Sequence, residues 1–264
     1  MSDRSDVIYI YDGTFNGFLS CVFESFLFKE LPFGIFSEID EPITLLSKKY
    51  IDTDSIKAER VKKGIIEKVS PDAFELLSLS FLTELKEKEM YMLDFVYFSM
   101  KKGRAARDCI TEPSVHILDK AVRGLLNESH NYKGFVRFEL INGYYISKIE
   151  PKNFVLPLLQ PHFVNRFYGE NFVIIDLVHH AALAHENERT EIFSFSEIDL
   201  PKTDKDEEAI KALWKCFYKT IGIKERYNPK CRQNHMPKRF WSNLTEFEDD
   251  RLCSNSNELI EKSE

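Results

Sequence analysis

The apolar residues of this chain change their period at Gly134, so one class of secondary structure cannot account for both halves. Downstream, residues 135–141 and 144–149 alternate apolar and polar around Asn142-Gly143, the dipeptide best suited to a two-residue type I′ hairpin turn. Upstream the spacing is helical. Phe15, Phe18, Leu19, Val22, Phe23, Phe26 and Leu27 recur every three or four residues and form one stripe. Just before them, Val7-Ile8-Tyr9-Ile10-Tyr11 is a β-branched and aromatic run closed by Asp12-Gly13-Thr14, which predicts a buried strand, a turn and then the helix.

The other elements follow from local signals. Thr44-Leu45-Leu46 is expected as a second strand, and Asp54 or Ser55 as the cap of a helix reaching Val69. Ser70-Pro71 pairs an N-cap with a proline at the first helical position, opening a helix that turns Phe74, Leu77, Phe81 and Leu85 inward. Two more helices are expected over residues 90–101 and 113–127. After the hairpin, Pro157 and Pro161 mark an irregular stretch, residues 172–177 a buried strand, and 181–183 and 192–195 its partners. Ile210, Leu213, Trp214, Phe217 and Ile221 predict a last helix closed by Gly222. The fold class expected is therefore α+β: an N-terminal strand and helical region, followed by an antiparallel sheet with covering helices. Residues 1–245 are read as one domain with a possible sub-division near 130, and 246–264 as a polar, loosely held tail.

Composition narrows the function classes. With 43% hydrophobic residues the chain can bury a core, and no apolar run approaches the roughly 18 residues of a membrane helix, so a cytoplasmic protein is expected. Five scattered cysteines with no C-x-x-C pair argue against a zinc ribbon, an iron–sulfur cluster or a disulfide framework, and no cofactor is expected. Nucleotide-binding glycine loops and the G-x-S-x-G elbow are missing. His179, His180 and His185 are the densest histidine set, but strand alternation sends His180 and His185 to opposite faces, and no metal site is expected.

The net charge of −7 conceals a basic segment: between Lys224 and Arg239 there are six cations and one acid, Glu225. Arg226, Arg232, Lys238 and Arg239 can neutralise phosphates, Asn228 and Gln233 add polar contacts, and Tyr227 and Trp241 offer faces for base stacking. The alternative is that Phe240 and Trp241 close the core while the cations coat it. Arg137 and Lys148 fall opposite one another in the expected hairpin register, where a phosphate or a nearby carboxylate would relieve their repulsion. Arg166 extends the basic set. A second run, Lys101 to Arg107, has four cations and reads as a helix end in solvent or as an extension of the same track. Asp12 and Asp176 stand at strand ends as the candidate acid–base residues, Asp12 or Thr14 also being readable as a simple N-cap.

Three stretches resemble a bacterial family of DNA-metabolism and DNA-repair proteins: Tyr9-Ile10-Tyr11-Asp12-Gly13-Thr14-Phe15 with Gly17-Phe18-Leu19 and Cys21-Val22-Phe23-Glu24; His162-Phe163 with Arg166-Phe167, then Ile174, Asp176 and Ala182; and Arg226-Tyr227-Asn228-Pro229 through Met236-Pro237-Lys238-Arg239-Phe240-Trp241. The resemblance implies a radical-SAM protein as partner, or a uracil-DNA-glycosylase-like domain that is fused to the family's domain in some bacteria. It supplies no catalytic residues. Where that family has an arginine shortly after the strand aspartate, this chain has His179-His180. The expectation is an accessory protein that holds single-stranded or damaged DNA for a separate catalytic partner. Its rivals are an enzyme acting on a nucleobase or nucleotide through Asp12 or Asp176, and a protein–protein adaptor.

Overall fold

Strand β1 (Ser5–Tyr11) buries four consecutive residues, Ile8 to Tyr11, which requires cover on both faces. The computed structural model, which describes residues 4–197, 210–216 and 228–244, supplies it. β1 is the middle strand of a parallel three-stranded sheet ordered β2-β1-β3, with β2 at Pro32–Ser37 and β3 at Ser47–Tyr50. Between β1 and β2 runs helix α1 (Phe15–Phe28), followed after β3 by α2 (Ser55–Lys68), α3 (Pro71–Phe81) and α4 (Lys88–Lys102). Caps are where the sequence puts them: Thr14 accepts from the Gly17 amide, Asp54 from Ile56 and Lys57, and Ser70 from Ala73.

Two compact units make up the chain, Met1–Leu126 and Asn127–Glu264, and α5 (Pro113–Phe135) runs across the division in sequence. The first unit packs Phe18, Leu19, Val22, Leu77, Leu93, Phe95, Val96 and Leu118 into one apolar cluster with Tyr9 and Tyr11. In the second, β4 (Glu139–Ile141), β5 (Tyr144–Ile149), β6 (Phe172–Asp176), β7 (Ala181–Glu186) and β8 (Arg189–Ser194) form a sheet in that order, with α6 (Leu156–Arg166) packed against β7 and β8. The rings of Phe138, Phe163, Phe167 and Phe172 meet in this unit at centroid distances of 4.6 to 6.4 Å. Residues 210–216 are helical (α7), and α8 (Pro229–His235) precedes a 3-10 turn at Lys238–Asn243. Among the described residues no helix is long and apolar enough to cross a membrane.

The α+β class holds, with five corrections of detail. Thr44-Leu45-Leu46 is a bend, and the strand begins at Ser47. The sequence reading misses β2, because Pro32 and Gly34 disfavour strands, although an edge strand tolerates a proline at its first residue. α5 continues eight residues past Asn127, since Glu128, Ser129 and Tyr132 are buried in spite of their polarity. The prolyl stretch is a helix, α6, whose Pro157 sits in the first turn where no N–H is needed. Finally the sheet is mixed: β5 and β6 run parallel, because α6 returns the chain to the starting edge as a β-α-β crossover. The Asn142-Gly143 turn forms as expected, with φ of 52° and 82° and Ile141 opposite Tyr144. The end of the last expected helix and the tail, residues 246–264, lie outside the described residues.

Candidate functional site

Asn228 caps α8 by accepting from the Cys231 amide at 3.0 Å, and Pro229 follows as the first helical residue. Beyond α8, Met236-Pro237 redirects the chain and the 3-10 turn delivers Phe240 and Trp241 inward, at 4% and 8% exposure. Phe240 meets Tyr132 edge-on at 4.9 Å and Phe135 at 5.4 Å. The Trp241 indole Nε1 donates to the Met236 carbonyl at 2.9 Å, and Leu244 closes the same apolar cluster. The rings therefore fasten this segment to the end of α5, and Trp241 is not an open stacking face.

The basic side chains of the same segment sit closer to solvent than the rings. Lys230, Lys238 and Arg239 are exposed, as is Gln233, and the Arg239 guanidinium lies 4.8 Å from the Phe240 ring centroid. Arg232 is half-buried with its guanidinium 4.8 Å over Trp241. Arg226 and Tyr227 lie outside the described residues.

Arg137 and Lys148 do not pair as the hairpin register suggested. The ladder begins at Glu139, and Arg137 precedes it, donating to the Gly134 and Val136 carbonyls at the end of α5. Lys148 is exposed on β5 opposite Ile175. Arg166 ends α6 one turn after His162, and the structure adds a cation that sequence reading overlooked, Lys133 on α5. Burial first, then Lys133 and Arg166, hold the His162 imidazole below its ordinary pKa, and its Nε2 is buried without a hydrogen-bond partner among the described residues. His162 thus feels one cation from α5 and one from its own helix.

Asp12 and Asp176 differ in what surrounds them. Asp12 is exposed: its Oδ1 accepts from the Thr14 amide (2.9 Å) and hydroxyl (2.8 Å), and its Oδ2 from the Thr53 hydroxyl (2.7 Å). Burial opposes its charge but is outweighed by these hydrogen bonds, which hold the carboxyl below its usual range. Such a weak base suits a cap better than proton abstraction at neutral pH. Asp176 is wholly buried, accepting at Oδ1 from the Val178 and His179 amides at 3.0 Å and facing His179 Nδ1 from Oδ2 at 2.7 Å. A carboxylate only accepts, so in this contact Nδ1 is the donating nitrogen.

The other two histidines have separate settings. His185 contacts the Thr190 hydroxyl at 2.7 Å and stacks on Phe172, while His180 sits at φ 50° with its ring against Phe195. Among the described residues no three His, Cys, Asp or Glu side chains gather to hold a metal.

Residues 86–246 match the model of a domain of unknown function, DUF4130. The chain belongs to that family. The DUF4130 match takes in the whole basic segment, both α5 and α6, and the Asp176–His179 pair; it leaves out Asp12 and the parallel sheet. No curated protein matches the chain.

Proposed function

We propose that the second unit binds the sugar–phosphate backbone of DNA and serves DNA metabolism as an accessory to a separate catalytic partner, of the radical-SAM or uracil-DNA-glycosylase-like kind. One observation carries this reading: in the C-terminal segment the rings point in and the cations point out. Phe240 and Trp241 hold the segment against Tyr132 and Phe135, so Lys230, Lys238 and Arg239 are displayed on an ordered rather than a collapsing chain. Lys133 and Arg166 add cations from α5 and α6. The resemblance of the same segment to DNA-repair proteins supports the polyanion as DNA.

Because Trp241 is buried, affinity comes from phosphates rather than from stacking. For single strands the logarithm of the binding constant falls by about 0.7 per tenfold change in salt for each phosphate neutralised. Fluorescence anisotropy with a labelled oligothymidylate across a salt series tests this: Lys238→Ala with Arg239→Ala should lower the slope by roughly 1.4. Salt-independent binding, or none at low salt, overturns the reading. A bound polyanion would also screen Lys133 and Arg166, raising the His162 pKa in an NMR titration.

The second reading, an enzyme acting on a nucleobase or nucleotide, rests on the Asp176–His179 pair, whose geometry orients an imidazole as general bases are oriented. Turnover lost in His179→Gln with DNA binding intact would favour it over the accessory role.

A further inference from the structure

A groove of about 630 Å³ lies between α3 and α5 in the first unit, lined as well by Arg107, Asp108 and Ile110. One wall is α3, whose Asp72, Glu75, Leu76 and Leu79 follow the spacing of a single helix face. The opposite wall is α5, with Asp119, Val122 and Leu126. The floor is apolar: Leu76 and Val122 are buried, and Leu79 packs against the core. Two apolar side chains stay out on the rim, Ile110 at 66% and Leu126 at 44% exposure.

The charge is one-sided. Arg107 is neutralised in place by Asp119 through a two-pronged contact at 2.7 and 2.8 Å. Asp72, Glu75 and Asp108 have no cation paired with them among the described residues. The lining therefore presents acids where the C-terminal segment presents cations. From Asp72 to Leu79 the trough is two helical turns long, about 10 Å, which suits two apolar side chains spaced one turn apart rather than a flat surface. The chain's own described basic segment is not a candidate, since Phe240 and Trp241 are already buried against residues of the second unit.

We propose that this groove receives a basic amphipathic helix of a partner protein, its apolar stripe on Leu76, Leu79 and Val122 between Ile110 and Leu126, and its lysines or arginines against Asp72, Glu75 and Asp108. Helix-in-groove recognition uses anchors one turn apart, and the flanking charges set partner choice and speed of encounter.

The test uses the full chain and a labelled synthetic peptide with leucines and lysines at amphipathic helical spacing, alongside a scrambled peptide of the same composition. The amphipathic peptide should bind at least tenfold tighter than the scrambled one. Ile110→Glu with Leu126→Glu should abolish that preference, and Glu75→Lys with Asp108→Lys should weaken binding roughly tenfold, in line with the loss of interface anchors and charge pairs. Glu67→Lys, half that charge change at an exposed position of α2, should leave it unchanged. Circular dichroism melts of each variant separate loss of binding from loss of fold. Equal binding of the two peptides, equal weakening by Glu67→Lys, or no binding overturns the proposal. So does self-association that Ile110→Glu abolishes, because the occupant is then a second copy. Oligothymidylate binding should be untouched by the groove variants, so this proposal and the DNA reading fail separately.

Discussion

Asp12 and Asp176 stand at equivalent places in two sheets, each at the carboxyl end of a central strand that has a parallel neighbour. In open sheets of parallel strands that edge is where ligands bind. Yet the two carboxyl groups are used differently. Asp12 faces solvent and ties down a turn through one backbone amide, that of Thr14, and through the Thr14 and Thr53 hydroxyls, at an exposed position where water can replace it. Asp176 is fully buried and ties down its turn through two backbone amides and an imidazole. The same residue type at the same topological position is a replaceable cap in one unit and a buried organiser in the other. Burial, not strand position, decides how much each matters.

The largest effect should come from Asp176→Ala. It removes the buried acceptor of the Val178 and His179 amides and of the His179 ring nitrogen, and a hydrogen bond lost at a buried group costs about 1 to 3 kcal/mol. A loss of about 3 to 5 kcal/mol is expected, seen in urea denaturation and in faster hydrogen exchange of the β6 and β7 amides. Asp176→Asn keeps an acceptor oxygen and should lose less. Equal destabilisation by Asp176→Ala and Asp12→Ala would break the comparison.

Gly17→Ala should come next, and it reports on the Asp12 side. A Cβ at Gly17 would overlap Asp12 Oδ1 and stand 2.8 Å from Thr53 Oγ1 and 2.9 Å from Tyr11 Cδ2. Overpacking of this kind costs about 1 to 3 kcal/mol. Because the first obstacle is the Asp12 carboxylate, removing it should relieve the strain. A double-mutant cycle with Asp12→Ala should show a coupling of at least about 1 kcal/mol, and additive behaviour would mean that the Tyr11 ring, not the carboxylate, fixes glycine there.

Local chemistry was legible in the sequence, and non-local chemistry was not. The caps at Asp54 and Ser70, the β1–turn–α1 opening and the Asn142-Gly143 turn were readable because each depends on neighbours within four residues. What failed depended on distant partners. The end of α5 was hidden because Glu128 looks like a helix terminus until the Lys152 and Asn153 amides and the Asn153 side chain, far along the chain, turn its carboxylate into a buried acceptor. The parallel β5·β6 pair was hidden because two prolines disguised the crossover helix. At the site, the basic segment was visible as composition, but the inward aim of Trp241 needed Phe135 and Met236, and the nearness of Lys133 to His162 needed two helices to meet. The Asp176–His179 contact was missed for a simpler reason: residues 177–180 leave the strand, with His180 at φ 50°, so strand alternation does not apply to them.

The smallest effect should be Asp12→Ala itself, about 1 kcal/mol, the usual net worth of a hydrogen bond at an exposed turn. Its pH dependence sharpens the point. Hydrogen bonds hold the Asp12 carboxyl lower in the folded chain than in the unfolded one. Its stabilisation is therefore complete above the ordinary carboxylate range and disappears as the pH falls through the folded value, where both states are protonated. Wild type and Asp12→Ala should differ in stability near neutral pH and converge in acid. A gap that persists undiminished to acid would mean that the turn depends on the size of the Asp12 side chain rather than on its charge, and the contrast with Asp176 would then lie in packing instead of hydrogen bonding.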